Sequence, residues 1–298
     1  MDIEDIRTED QFRITTFSKY KRVDVKKEWL NSAIKGKIES CCYWTTELVC
    51  SGLFVDLWEL ILLYYAKYIH VGNPKLPIYL EMRFQYFKHM TKDVNELTLR
   101  NKEEIRKLFI EIICILSTSK RHHSYEIIQI PKEDGIPSSR LKAPTIEFNK
   151  AFKTNDPKEL FIAVNEFSYM LHSKNTVGAC FWVEWLFQFT HKRKCLIAER
   201  NYSTKHKQDA VWLLWDTILL YTQTPLIQKI VENVISLFSI AFVPAAKERR
   251  RFLLYYAISL CCEQISFDVE MISDKKIIEQ VYKKCSVMYK DIKAHEVK

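Results

Sequence analysis

Residues 55–69 read Val55-Asp56-Leu57-Trp58-Glu59-Leu60-Ile61-Leu62-Leu63-Tyr64-Tyr65-Ala66-Lys67-Tyr68-Ile69. Trp58, Ile61, Leu62, Tyr65 and Ile69 recur at three- and four-residue steps, which puts them on one face of an α-helix. Glu59 and Lys67 interrupt the run. It falls short of the ~20 apolar residues a membrane span needs, so the expectation is a core helix and no membrane partner. A second stretch has the same form: Leu214-Trp215-Asp216-Thr217-Ile218-Leu219-Leu220-Tyr221 matches Leu57 to Tyr64.

Working outward, the same periodicity predicts helices from Val25 to about Ile34, with Asp24 as N-cap and Gly36 as terminator, and over Ile38 to Ser51. Further helices are expected at about 78–90, 100–117, 158–172, 177–190, 207–222, 225–243, 246–264 and 274–290. Pro74, Pro77 and Gly72 mark a turn after the first long helix. Ile127-Ile128-Gln129-Ile130 is the only plausible strand material. Residues 1–24, with Lys19-Tyr20-Lys21-Arg22, read as a flexible or weakly docked arm. Residues 118–157, punctuated by Pro131, Gly135, Pro137 and Pro144, read as a linker, with Pro157 at the start of the next helix.

Composition fits an all-α chain. Of 298 residues only five are glycine and nearly half are hydrophobic, which disfavours glycine-rich phosphate loops and tight hairpins, both of which need positive φ. Net charge is +8, a mild excess that permits contact with nucleic acid or an anionic surface without demanding it. The nine cysteines form no CxxC pair and no zinc-finger spacing. Cys41-Cys42, Cys114 and Cys261-Cys262 read as small buried hydrophobes in a reducing compartment. The acidic start Met1-Asp2-Ile3-Glu4-Asp5 does not read as a signal peptide.

The two halves resemble each other. Cys42-Tyr43-Trp44 followed by Glu47 has a counterpart in Cys180-Phe181-Trp182 followed by Glu184. Each block is preceded by a polar turn, at Lys35-Gly36-Lys37 and His172-Ser173-Lys174-Asn175. Each long Leu-Trp helix is followed by a turn containing proline, at Pro74 and Pro225. The expected architecture is two pseudo-repeated helical units, a HEAT-like array of αα-hairpins joined by a proline-containing linker: unit 1 over 25–117, linker over 118–157, unit 2 over 158–298. Stacking of such units buries faces that one hairpin cannot bury alone.

The halves differ where the second inserts residues 191–207, His-Lys-Arg-Lys-Cys-Leu-Ile-Ala-Glu-Arg-Asn-Tyr-Ser-Thr-Lys-His-Lys, with Glu199 its only acid. Insertions in repeat proteins gather on one face, often the binding face. Lys192, Arg193, Lys194, Arg200, Lys205 and Lys207 are candidates to contact phosphates, with Tyr202 to stack on a base. An acidic protein partner and a solvated loop that binds nothing are the alternatives. Lys120-Arg121 and Arg249-Arg250-Arg251 are secondary basic clusters, the latter more simply a helix surface. His191, Cys195 and His206 match no zinc spacing, and no cofactor motif occurs. Glu47 with Glu184, and Glu59 with Asp216, are repeat-related carboxylates that could do acid–base work. On helices beside tryptophan they more simply satisfy local hydrogen bonds. Trp44, Trp58, Trp182, Trp212 and Trp215 read as core.

Tyr43-Trp44, Glu47 to Gly52, Leu57-Trp58 and His70-Val71-Gly72-Asn73-Pro74-Lys75-Leu76-Pro77, with Phe181 to Trp185 and Lys207 to Asp216, resemble a family of uncharacterised proteins of nucleocytoplasmic large DNA viruses over roughly residues 30–220. The resemblance implies a viral protein working in the host cytoplasm, the viral factory or the virion. Ala33 to Trp44 is locally similar to the helical collar of sliding-clamp loaders. At fold level alone, the array is similar to the middle domain of the translation-initiation scaffold. The expectation is a non-enzymatic adaptor that docks on nucleic acid or a nucleoprotein complex and meets viral or host protein subunits. A purely protein-binding scaffold, in translation or virion assembly, is the alternative.

Overall fold

In the computed structural model, which describes residues 2–92, 94–131, 135–193, 195–270 and 275–298, the chain is helical. Among the described residues there is no strand; two isolated antiparallel bridges, Thr15 with Lys21 and Leu196 with Asp209, are the only β pairing. The helices are α1 (Arg22–Ile34), α2 (Ile38–Cys50), α3 (Phe54–Tyr64), α4 (Leu76–Thr91), α5 (Glu96–Leu99), α6 (Glu103–Thr118), α7 (Phe161–His172), α8 (Thr176–Lys192), α9 (Val211–Leu220), α10 (Pro225–Phe238), α11 (Ala246–Arg249), α12 (Arg251–Cys262) and α13 (Lys275–Lys293). No helix among the described residues is long and apolar enough to cross a membrane.

The helices divide between two compact units. Unit 1 comprises Met1–Asn73, Met82–Arg121 and Asp268–Lys298; unit 2 comprises Pro74–Glu81 and His122–Phe267. This division differs from the expected one at both ends. The C-terminal helix α13 belongs with unit 1, packing on α2 and α6. Most of the expected linker belongs with unit 2.

In unit 1, α1 and α2 form a hairpin closed by Gly36 at φ +68°, a conformation that glycine adopts without a Cβ penalty. Trp29 Nε1 donates to Thr45 Oγ1 at 2.8 Å across it. Tyr64 at the end of α3 donates to Ala33 O at 3.0 Å, and a π-helical turn, Tyr65–Ile69, extends α3. Phe54, Trp58, Phe87 and Phe109 pack ring against ring. Of the tryptophans expected in the core, Trp44 is only half-buried, its ring edge against Tyr20 and Tyr43.

The N-terminal arm is docked. Ile3, Phe12 and Phe17 are buried against Cys50 of α2 and Tyr289 and Ile292 of α13. Asn101 brackets the chain, accepting from Ile3 N and donating to Ile3 O. Arg7 lies over both Phe12 and Phe17 and binds Asp5, which also accepts from Val297 N. Helix α1 starts at Arg22 because Ile14 O accepts from Arg22 N and Thr15 pairs with Lys21; Asp24 therefore lies inside the first turn and is not the cap.

In unit 2, α7 and α8 form a hairpin, α8 packs on α12, and α9 and α10 complete the bundle. Asn175 caps α8 by accepting from Gly178 N, and Thr224 caps α10, with Pro225 in its first turn. The segment before α7 is held by side chains of that helix. Glu166 accepts from Lys142 N and Ala143 N, and Asn165 binds Asn149 N and Thr145 O. Residues 127–130 form no strand; Ile128 N instead finds Tyr255 OH at 3.4 Å. The helix expected over 246–264 breaks at Arg250, whose buried guanidinium binds Phe238 O at the end of α10.

Candidate nucleic-acid interface

The insertion joins the end of α8 to the start of α9 and closes on itself. Ile197 N donates to Gln208 O at 3.1 Å and Arg200 N to Lys207 O at 2.9 Å, beside the Leu196–Asp209 bridge. Ile197 is buried and anchors the loop to the unit. Lys247 ties down its far end, reaching Asp209 and Thr190 Oγ1, each at 3.3 Å.

One of its arginines turns inward to the body of the unit. Arg200 is buried, 3% exposed. Its Nε donates to Asp216 at 2.7 Å, and its two terminal nitrogens form a fork on Asp156 at 2.8 and 2.7 Å. They also donate to Ala198 O at 2.6 Å and Ala151 O at 3.3 Å, so all five guanidinium N–H groups have acceptors. Asp156 takes two further bonds, from Lys153 N and Ala198 N. Burial by itself would raise the Asp156 carboxyl; Arg200 and the two amides outweigh it and hold the pKa below the ordinary range. Burial likewise opposes the Arg200 charge, and the two carboxylates overcome it and raise its pKa.

This geometry corrects two sequence expectations. Arg200 is a structural clamp and has no donor left for a phosphate. Tyr202 is half-buried and engaged within the unit: its hydroxyl donates to Asp216 Oδ1 at 2.6 Å and its ring lies against Trp212, 5.5 Å between centroids. Both were read as surface residues because their partners lie elsewhere in the chain: Asp156 and Asp216 are 44 and 16 positions from Arg200, and Asp216 is 14 from Tyr202. One signal was available. Asp216 is the only acid in the apolar run Val211–Leu220, and a carboxylate drawn partly into such a run calls for a cation or several donors.

Lys192, Arg193 and Lys205 are exposed, and Lys207 is partly so. Arg193 rests over the Phe189 ring at 4.9 Å. Lys207 lies 3.6 Å from the Glu199 carboxylate, a well-exposed pair. Lys194 lies outside the described residues. A groove of about 370 Å³ runs beside the loop, with Lys205, His206, Lys207, Glu199, Asp209 and Leu196 among its lining residues. His191, Cys195 and His206 are not gathered; among the described residues no three metal-ligating side chains converge.

The secondary clusters also divide. Arg249 is exposed on α11, the helix that sends Lys247 to Asp209. Arg250 is buried, and Arg251 turns inward to Glu184 at 3.1 Å; neither belongs to a surface patch. In unit 1, Arg121 donates to Ala33 O and Ile34 O at the end of α1, while Lys120 is exposed.

The repeat-related carboxylates have separate structural tasks. Glu47 accepts from Ser18 N and Ser18 Oγ, fastening the N-terminal arm to α2. Glu184 accepts from Tyr255 OH at 2.8 Å beside Arg251, and burial raises its pKa. Asp216 holds Arg200 and Tyr202. The cysteines are all free, and burial pushes Cys261 up to about 12 and Cys262 to about 11. Compared with protein-family models, with curated proteins and with solved structures, the chain matches none of them.

Proposed function

We propose that the chain is a non-enzymatic helical adaptor whose basic insertion docks on nucleic acid or a nucleoprotein complex. One observation carries this reading: a buried Arg200–Asp156 pair, with Asp216 beside it, fastens the loop to the unit while Lys192, Arg193 and Lys205 are exposed and Lys207 partly so. A closed loop presents its charges without losing much conformational freedom on binding. The resemblance between the two halves of the sequence supports the adaptor part of the proposal. The runs α1–α6 and α7–α12 each pass through four longer helices, a four-residue helix and another long helix, and each four-residue helix is followed by a buried arginine, Arg100 or Arg250. Within this reading the chain is a viral protein of the host cytoplasm, viral factory or virion, and it also meets viral or host protein subunits.

The test is fluorescence polarization of labelled DNA and RNA at two salt concentrations, for the native chain and for Lys192→Ala/Arg193→Ala/Lys205→Ala/Lys207→Ala. The expected result is salt-sensitive binding that the variant loses while its helical circular dichroism is unchanged. Absence of binding by the native chain at low salt overturns the proposal. It would favour a protein-binding scaffold, the second reading. That reading draws on Leu196 and Val243, two exposed apolar side chains at and beside the groove.

A further inference from the structure

Resting on the nucleic-acid reading above and narrowing it, we infer that the insertion takes double-stranded nucleic acid, gripped through its phosphates without regard to sequence, in preference to single strands. Proteins that hold single strands stack bases on exposed aromatic rings, each worth ~1–3 kcal/mol. The rings at the insertion are at most half-exposed, and each is engaged by a neighbour. Tyr202, its one aromatic residue, is bonded to Asp216 and packed on Trp212. Phe189, at the entry to the loop, has Trp185 stacked on it at 4.7 Å and Arg193 over it at 4.9 Å. Trp185, Trp212 and Phe242 are buried. Among the described residues of unit 2, Tyr125 is the one exposed aromatic side chain, and it lies on the segment before α7.

What the loop offers instead is charge on a fixed frame. Lys205 and Lys207 sit two positions apart on the returning limb of the loop, whose carbonyls at Lys207 and Gln208 receive Arg200 N and Ile197 N. Lys207 shares an exposed pair with Glu199 at 3.6 Å, a contact weak enough to exchange for a phosphate. A duplex carries a negative charge roughly every 1.7 Å along its axis. Its backbone is regular, so a rigid set of cations can match it at any sequence. A single strand must first be ordered onto such a frame, with no ring to compensate.

The test is competition against a labelled 20-base-pair duplex (about two helical turns, long enough to span the loop), run with DNA and RNA duplexes alike. Competitors are unlabelled duplexes of unrelated sequence and single strands of the same length. Duplexes should compete within about twofold of one another, and single strands at least tenfold more weakly. Single strands that compete equally or better, or a clear dependence on base composition, overturn the duplex inference while leaving the adaptor reading in place. Failure of both duplex and single strand to bind removes the two together.

Discussion

Replacing Arg200 by alanine should unlatch the insertion. The substitution removes five hydrogen bonds and leaves the Asp156 carboxylate, whose side chain is fully buried, without its cation. Breaking a buried ion pair by deleting one partner costs about 3–5 kcal/mol, because the remaining charge is uncompensated. Asp156 keeps the amides of Lys153 and Ala198, and Asp216 keeps Tyr202. These place the cost near the lower end, about 3 kcal/mol. For a unit of this size, that lowers the thermal midpoint by roughly 6–12 °C. Urea unfolding followed by tryptophan fluorescence measures it, since Trp182, Trp185, Trp212 and Trp215 all lie in unit 2. Removing both partners, Arg200→Met with Asp156→Asn, should cost at least about 1 kcal/mol less than the sum of the two single changes, the mark of a coupled pair. Lys205→Ala, a surface change, should stay within about 0.5 kcal/mol. If Arg200→Ala costs no more than Lys205→Ala, Arg200 is not a clamp and is again available to a ligand.

Phe17→Ala should destabilise unit 1 by about 3–5 kcal/mol in urea unfolding, because it empties a fully buried site between the arm, α2 and α13; a cost below about 1 kcal/mol would return the arm to a peripheral role. Stability should also fall with acid. Asp5, Asp56 and Asp156 all have folded-state pKa values below the ordinary 3.8, so the unfolded chain takes up their protons first. Their contribution is complete above that value and is lost as pH falls through the folded values. Urea midpoints should drop as pH falls from about 4 toward 2, and a midpoint that holds or rises there would contradict these assignments.

The helical character of the chain was legible because its core stripes are local. Residues 55–69 announce the helix of α3, though not that its last turn is π-helical, and Pro225 marks the start of α10. What escaped reading depends on partners far along the chain. Ile3, Phe12 and Phe17 are spaced without a period among charges, so nothing local shows that they dock. The start of α1 is set by backbone pairing of residues 14 and 15 with 22 and 21, which overrides the capping preference of Asp24. The segment before α7 looks like a free linker until Asn165 and Glu166 are seen to bind its backbone. At the candidate site, composition identified the loop and most of its outward cations. It could not separate Arg200 from them, because an arginine that clamps and one that waits for a phosphate look alike until the acids are in place. Arg250 and Arg251 were misplaced for the same reason.

The most direct measurement is the salt dependence of duplex binding. If Lys192, Arg193, Lys205 and Lys207 each meet one phosphate, log Kobs should fall against log salt with a slope of about −3.6 on B-DNA. Affinity should drop by roughly a hundredfold between 50 and 200 mM salt. Each single change to alanine should make the slope shallower by about 1, while Arg249→Ala on α11 serves as the neighbouring control. A slope near zero, or one that the four substitutions leave unchanged, would show that the insertion is not a nucleic-acid interface.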